Sequence, residues 1–225
     1  MRKLLLFAAA IVSVTCIFSQ ETEFEKEAAY TKTITTRAEK IVAALNLQDS
    51  SKIKSVTSII TAQYRNLNKV YTERDGRIQT LKQKIGDKHN TDSLVKIIEE
   101  QYWNDARKLH EPFLTALSKE LNKDQVTMVK DGMTYSVLPV TYKAMLEMIP
   151  SLKPAEKEQI MTWLVEAREY AMDAESSEKK HWWFGKYKGR INNYLAAQGY
   201  DLQKERKDWE QRIKTSKEQK TVSQQ

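Results

Sequence analysis

The sequence predicts an all-α protein: a single-domain helical bundle of about six to eight helices with one irregular corner near residues 132–140. Three observations carry the prediction. Glycine and proline are scarce, 6 and 4 among 225 residues, so few positions can punctuate the chain. Apolar residues recur at intervals of three and four rather than two, the period that gives a helix one buried face. A helix-start design also recurs, in LNLQD from Leu45, LNKDQ from Leu121 and LKPAE from Leu152.

The opening MRKLLLFAAAIVSVTCIFSQ reads as a secretory signal peptide over residues 1–19. Arg2 and Lys3 precede an apolar run from Leu4 to Phe18, which is shorter than the roughly 20 residues a bilayer span needs. Cleavage after Ser19 is expected, leaving no stable membrane span and a periplasmic or secreted chain. A lipoprotein anchored through Cys16 is the weaker alternative, because Val14-Thr15 makes a poor lipobox. Cys16 is also the one cysteine, so a mature chain from Gln20 has no disulfide, thiol nucleophile or Cys-ligated metal.

Without Arg2 and Lys3 the 37 basic residues fall to 35, against 30 acidic ones. The excess sits late: Glu178 to Lys220 holds 12 basic and 6 acidic residues. In an exported chain this segment has no nucleic acid to meet, so nucleic acid is not an expected partner.

The first helix is predicted over about Glu23 to Leu45, with Tyr30, Ile34, Ala38, Ile41 and Leu45 as its buried stripe. The second runs from Ser51 toward Ile85 through Ile53, Val56, Ile60, Tyr64, Leu67 and Val70 or Tyr71, and Gly76 can interrupt it. A third starts at Asp92 or Ser93 and carries Leu94, Ile97, Ile98, Tyr102 and Leu109, with a kink or restart at Pro112. Asn122 and Gln125 then form a variant capping box, with Leu121 and Val126 as its hydrophobic staple. Gly132 ends that helix, and MTYSVLP forms the corner, where Tyr135, Ser136, Thr141 and Tyr142 can satisfy backbone groups. Either a packed corner or a site wall fits it. Pro154 at N1 and Glu156 at N3 start the next helix, which runs to Ala174. Another begins at Ser176 or Ser177, with Phe184, Tyr187 or Lys188, Ile191 and Leu195 facing the core. The helical domain covers 20–214, and 215–225 reads as a disordered tail.

Chemistry is sparse. His89, His110 and His181 have no ligand spacing, and there is no nucleophile elbow, phosphate loop or dinucleotide fingerprint. Neither a metal nor a cofactor is predicted, and no catalytic residue is assigned. Glu166, Glu169 and Asp173 share a face of one helix, which reads as a solvated acidic surface or as part of a site. HWWFGKYKGR, residues 181–190, then packs four aromatic rings and three cations around two glycines. The rings of Trp182, Trp183, Phe184, Tyr187 and Tyr194 exceed the core places one helix offers. Gly185 and Gly189 each cost about 1 kcal/mol relative to Ala inside a helix, so a close neighbour, helix or ligand, is expected there. Flat rings beside Lys186, Arg190 and Asn193 suit a sugar, whose C–H faces stack while its hydroxyls bond polar groups.

DGMTYSVLPVTYKAMLEMIP from Asp131, and WLVEAREYAMDAESSEKKHWWFGKYKGRINNYLAAQGYDL from Trp163, resemble the core motifs of a secreted Gram-negative bacterial family, domain of unknown function 3826. The resemblance spans about Ala28 to Lys214. It implies an exported helical protein that binds sugar and is associated with polysaccharide utilisation; it supplies no catalytic residues.

The sequence reading is thus an exported carbohydrate-binding protein whose ligand, a sugar such as an acidic plant-wall oligosaccharide, meets Trp182, Trp183, Lys186, Tyr187, Arg190, Asn193, Glu166, Glu169, Asp173, Tyr135 and Tyr142. Trp183 and Tyr187 would stack. The alternatives are a periplasmic chaperone-like protein, from the L-x-x-x-Q type helix starts, and a glycan-active hydrolase or lyase using Glu166, Glu169 or Asp173.

Overall fold

A computed structural model describes residues 4–85 and 88–222, with side chains over 24–85 and 89–216. The side chains of the expected signal segment 1–19 lie outside these. Among the described residues there are nine helices and no strand: α1 (Leu4–Ala43), α2 (Ser50–Lys84), α3 (Lys88–Lys108), α4 (His110–Glu120), α5 (Lys123–Met133), α6 (Val137–Met148), α7 (Pro154–Met172), α8 (Ser177–Ala197) and α9 (Leu202–Val222). Helix α9 extends into the segment read as a tail, whose last residues, 223–225, are outside the described ones. No helix among the described residues is long and apolar enough to cross a membrane. The chain divides into two compact units, Met1–Arg65 and Asn66–Gln225, with the boundary inside α2.

In the first unit the predicted stripe is buried at Ile34, Ala38, Ile41 and Leu45, as are Val56 and Ile60 of α2. The Tyr30 hydroxyl donates to the Tyr64 carbonyl at 3.1 Å, and Arg65 donates to Thr31 Oγ1 at 2.7 Å. The turn between the helices uses Asn46 at φ 52°, a left-handed position that Asn tolerates. Asp49 then caps α2, its Oδ1 accepting from the Ser51 and Lys52 amides.

In the second unit the core is the α7–α8 hairpin. Ile160, Leu164, Ala167 and Ala171 of α7 meet Phe184, Tyr187, Ile191 and Leu195 of α8, joined by Leu138, Met145, Ile149 and Leu152. Ile160, Leu164, Ile191 and Leu195 are fully buried, each contributing about 1.5–3 kcal/mol relative to exposure. A smaller cluster joins Leu67, Tyr71 and Ala106, with Trp103 and Leu109 against it.

Helix ends follow local chemistry. Asn122 and Gln125 exchange both bonds of the capping box, at 2.9 and 3.1 Å. At α7, Pro154 occupies N1 and Glu156 accepts from the Lys153 amide at 2.7 Å; Lys153 has no acceptor, so only this half of a box forms. Ser176 caps α8 through the Lys179 amide. Gly199, at φ 93°, closes α8: Tyr200 N–H donates to Leu195 O and Gly199 N–H to Ala196 O, the two bonds of a Schellman end.

Four local expectations change. Helix α2 passes through Gly76 without a break, since one glycine inside a long helix costs only about 1 kcal/mol relative to Ala. Helix α3 begins at Lys88, ahead of Asp92, and leaves Leu94 and Ile97 exposed while burying Ile98 and Ala106. The corner shrinks to residues 134–136, since Pro139 falls in the first turn of α6, where its missing N–H costs little. Tyr135 and Ser136 make the reversal at φ 58° and 54°. Finally, nothing lies within 4 Å of a Cβ built on Gly185 or Gly189; both sit on the exposed side of α8 and meet no close neighbour.

Candidate binding cleft

The bonds that shape the second unit begin with a buried charge network. His110, the first residue of α4, is buried, and its ring spans two carboxylates, Glu169 of α7 and Asp173 at the C-cap of that helix: Nδ1 lies 2.9 Å from Asp173 Oδ2 and Nε2 lies 3.1 Å from Glu169 Oε2. Arg107 donates to Asp173 Oδ2 at 2.6 Å and to the Glu169 carbonyl at 2.8 Å. Lys130 reaches Glu169 at 2.8 Å, while Arg168 bonds Asp131 at 2.8 Å and Glu169 at 3.3 Å. Bonds to Asp173, then to Glu169, outweigh burial and raise His110 to about 9, so it is an imidazolium at neutral pH. Burial raises the Glu169 carboxyl, but the bonds from His110 and Lys130 win and hold it at about 2. The two carboxylates lie on opposite edges of one ring and cannot converge on a single ion; among the described residues no group of three such side chains could hold a metal.

Beside this network lies a cleft of about 450 Å³ between α2, α3 and the start of α8. Tyr71, Arg74, Asp75 and Lys82 line it from α2; Glu99 and Trp103 from α3; Glu175, Lys179, Trp182 and Trp183 from the α7–α8 corner onward. The wall is aromatic. Trp183 stacks on Tyr170 at 4.6 Å and on Trp103 at 5.3 Å between centroids. Trp182 stands edge-on to Trp183 at 5.0 Å and is 54% exposed. Lys186 Nζ sits 5.0 Å from the Trp183 ring and 5.5 Å from that of Trp182, within cation–π range. The rim carries both signs of charge, and Arg74 is already committed to Asp75 and Glu175. The cleft and the network share atoms: the Tyr71 hydroxyl donates to the Asp173 carbonyl at 2.8 Å, and Arg107 lies over the Tyr170 ring that supports Trp183.

The residues singled out in the sequence therefore separate into groups. Trp182 and Trp183 line the cleft, with Lys186 against them. Glu169 and Asp173 belong to the charge network. Tyr187 is 6% exposed and packs in the core, where burial first, and then the Glu166 carboxylate, push its phenol up. Glu166 pairs loosely with Arg190 at 3.7 Å, and Arg190 lies over Trp163 at 4.5 Å. Asn193 is exposed and outside the cleft, and Tyr142 is half-buried against the α7–α8 core. Tyr135 stacks on His181 at 5.6 Å, also outside the cleft. Trp103, Arg74 and Glu175 were not among the candidate site residues, and Tyr71 was expected only on the buried stripe of α2. Trp103 carried a faint signal, as an aromatic ring one position off the predicted stripe of α3.

A family model described as protein of unknown function, DUF3826, matches residues 31–215. The chain belongs to this family. That span includes every described residue of the cleft and the network, so both are built from family sequence. No curated protein matches the chain.

Proposed function

We propose that this DUF3826 protein is exported through its N-terminal segment and binds carbohydrate in the cleft at Trp182, Trp183 and Trp103. The observation that supports the reading most is Trp182. A large ring kept 54% exposed, at the mouth of a 450 Å³ cleft with charged groups on its rim, offers a pyranose both a stacking face and hydroxyl partners. Because Trp183 already rests on two aromatic neighbours, the free stacking ring is Trp182, with Lys179, Lys82 and Glu99 on the lining for hydroxyls or a uronate. Glu169 and Asp173 act behind the site by fixing α4 against α7. A carboxyl held at about 2 is not a general acid at neutral pH, so Glu169 does not fill that role.

Calorimetric titration of the full chain with a panel of neutral and acidic plant-wall oligosaccharides tests this. One glycan should bind, and Trp182→Ala should weaken it about tenfold, roughly 1.4 kcal/mol. No heat with any member of the panel, or affinity unchanged in Trp182→Ala, would contradict the assignment.

A further inference from the structure

A second groove lies elsewhere in the same unit, where α6, α8 and α9 meet. It measures about 420 Å³, within the range of roughly 300–1,000 Å³ typical of small-ligand sites. Its lining separates by chemistry. Val140, Met145, Met148, Leu202 and Trp209 make an apolar surface on α6 and α9; Val140 is 65% exposed, although it lies in a helix whose other apolar residues are largely covered. Methionines suit such a wall because their unbranched thioethers adapt to a flexible guest.

The polar lining is cationic or neutral throughout. Lys188 and Arg206 stand on α8 and α9, beside the amides of Asn192 and Gln203. No carboxylate lines the groove, whereas the cleft at Trp182 includes Asp75, Glu99 and Glu175. Neither cation has an ion pair among the described residues, although α9 pairs its neighbouring Lys204 with Asp208 at 2.7 Å. Two cations without a close ion pair, at the edge of an apolar trough that no carboxylate lines, are complementary to a molecule with an anionic head and a hydrocarbon body. A bare sugar would leave the methionine wall unused.

We propose that this groove binds a single-chain anionic amphiphile, a carboxylate or sulfate head on an alkyl tail. The head lies between Lys188 and Arg206, with the Asn192 and Gln203 amides as further donors, and the tail runs over Met145, Met148 and Trp209. The site is separate from the carbohydrate cleft: the two share no lining residue.

Titration calorimetry of the full chain with dodecanoate below its micellar concentration tests the proposal, with dodecyltrimethylammonium and dodecyl maltoside as matched probes. Dodecanoate should bind at least tenfold more tightly than either. The double variant Lys188→Glu, Arg206→Glu, both at exposed positions, should lose that preference, whereas Arg206→Lys should retain it and Trp182→Ala should leave dodecanoate affinity unchanged. Circular dichroism melting establishes that each variant is folded; should the double variant not fold, Trp209→Ala replaces it, with an expected loss of at least fivefold for all three probes. Equal binding of the three probes by the wild-type chain, no binding of dodecanoate, or binding only to anionic phospholipid vesicles would each overturn it.

Discussion

The clearest consequence of the charge network is a pH-dependent stability that resides in one side chain. His110 has its folded-state pKa raised from 6.5 to about 9, first by the Asp173 bond and then by that of Glu169. A raised pKa means the folded protein holds the proton more tightly than the unfolded chain. The stabilisation is therefore complete below pH 6.5 and is lost as pH rises through about 9. At about 1.36 kcal/mol per pH unit, the loss between pH 6 and pH 10 is up to about 3 kcal/mol. Glu169 works in the opposite sense: its folded pKa falls from 4.5 to about 2, so its contribution is present above pH 4.5 and disappears as pH drops toward 2. The two groups share a bond, so their contributions are not additive. Urea denaturation followed by circular dichroism at pH 6, 8 and 10 measures the effect, with His110→Ala as the reference. At pH 6 that variant should be about 3–5 kcal/mol less stable, because Asp173, 1% exposed, and Glu169 lose a cationic partner inside the protein. The wild-type minus variant difference should then shrink by about 3 kcal/mol toward pH 10. A difference constant within about 0.5 kcal/mol across this range would refute the charged-histidine account.

Three further outcomes follow from packing and backbone geometry. Phe184→Ala removes the largest fully buried ring of the α7–α8 core and should cost about 3–5 kcal/mol in urea denaturation at pH 7. Asn122→Ala opens the capping box of α5 and should cost about 1 kcal/mol, seen as a lower melting temperature with the helix content retained. Ser136→Gly, at φ 54° with an exposed side chain, should stabilise by about 1 kcal/mol, since glycine occupies the left-handed region without a Cβ clash; a lower melting temperature would show that the serine side chain matters there.

Local chemistry made much of the fold legible. The α5 and α7 starts were readable because Asn122 acts with Gln125, and Pro154 with Glu156, within four residues of chain at each start. The Phe184, Ile191, Leu195 stripe was readable because its period is intrinsic to a helix. The charge network was not, because His110 meets Asp173 and Glu169 across 63 and 59 positions of chain, and no local pattern encodes such a meeting. In the sequence His110 stood out only by lacking ligand spacing, and the two carboxylates read as a solvated face or as part of a sugar site, not as partners of a buried imidazolium. The candidate site was half legible for the same reason. The excess of rings near residue 183 drew attention to Trp182, Trp183 and Tyr187 together, with Trp183 and Tyr187 as the expected stacking pair, but the opposite wall comes from α2 and α3, where Tyr71 and Trp103 resemble ordinary core residues. Tyr187 fitted two stripes of α8 equally well, and the α7–α8 packing assigns it to the core.

Diffraction from crystals of the full chain, soaked with the tightest-binding member of the oligosaccharide panel, tests the central claim most directly. A sugar ring should lie flat against Trp182, with its hydroxyls reaching toward Lys179 or Glu99. Sugar density elsewhere on the molecule, with the Trp182 cleft empty at saturating ligand, would contradict the account.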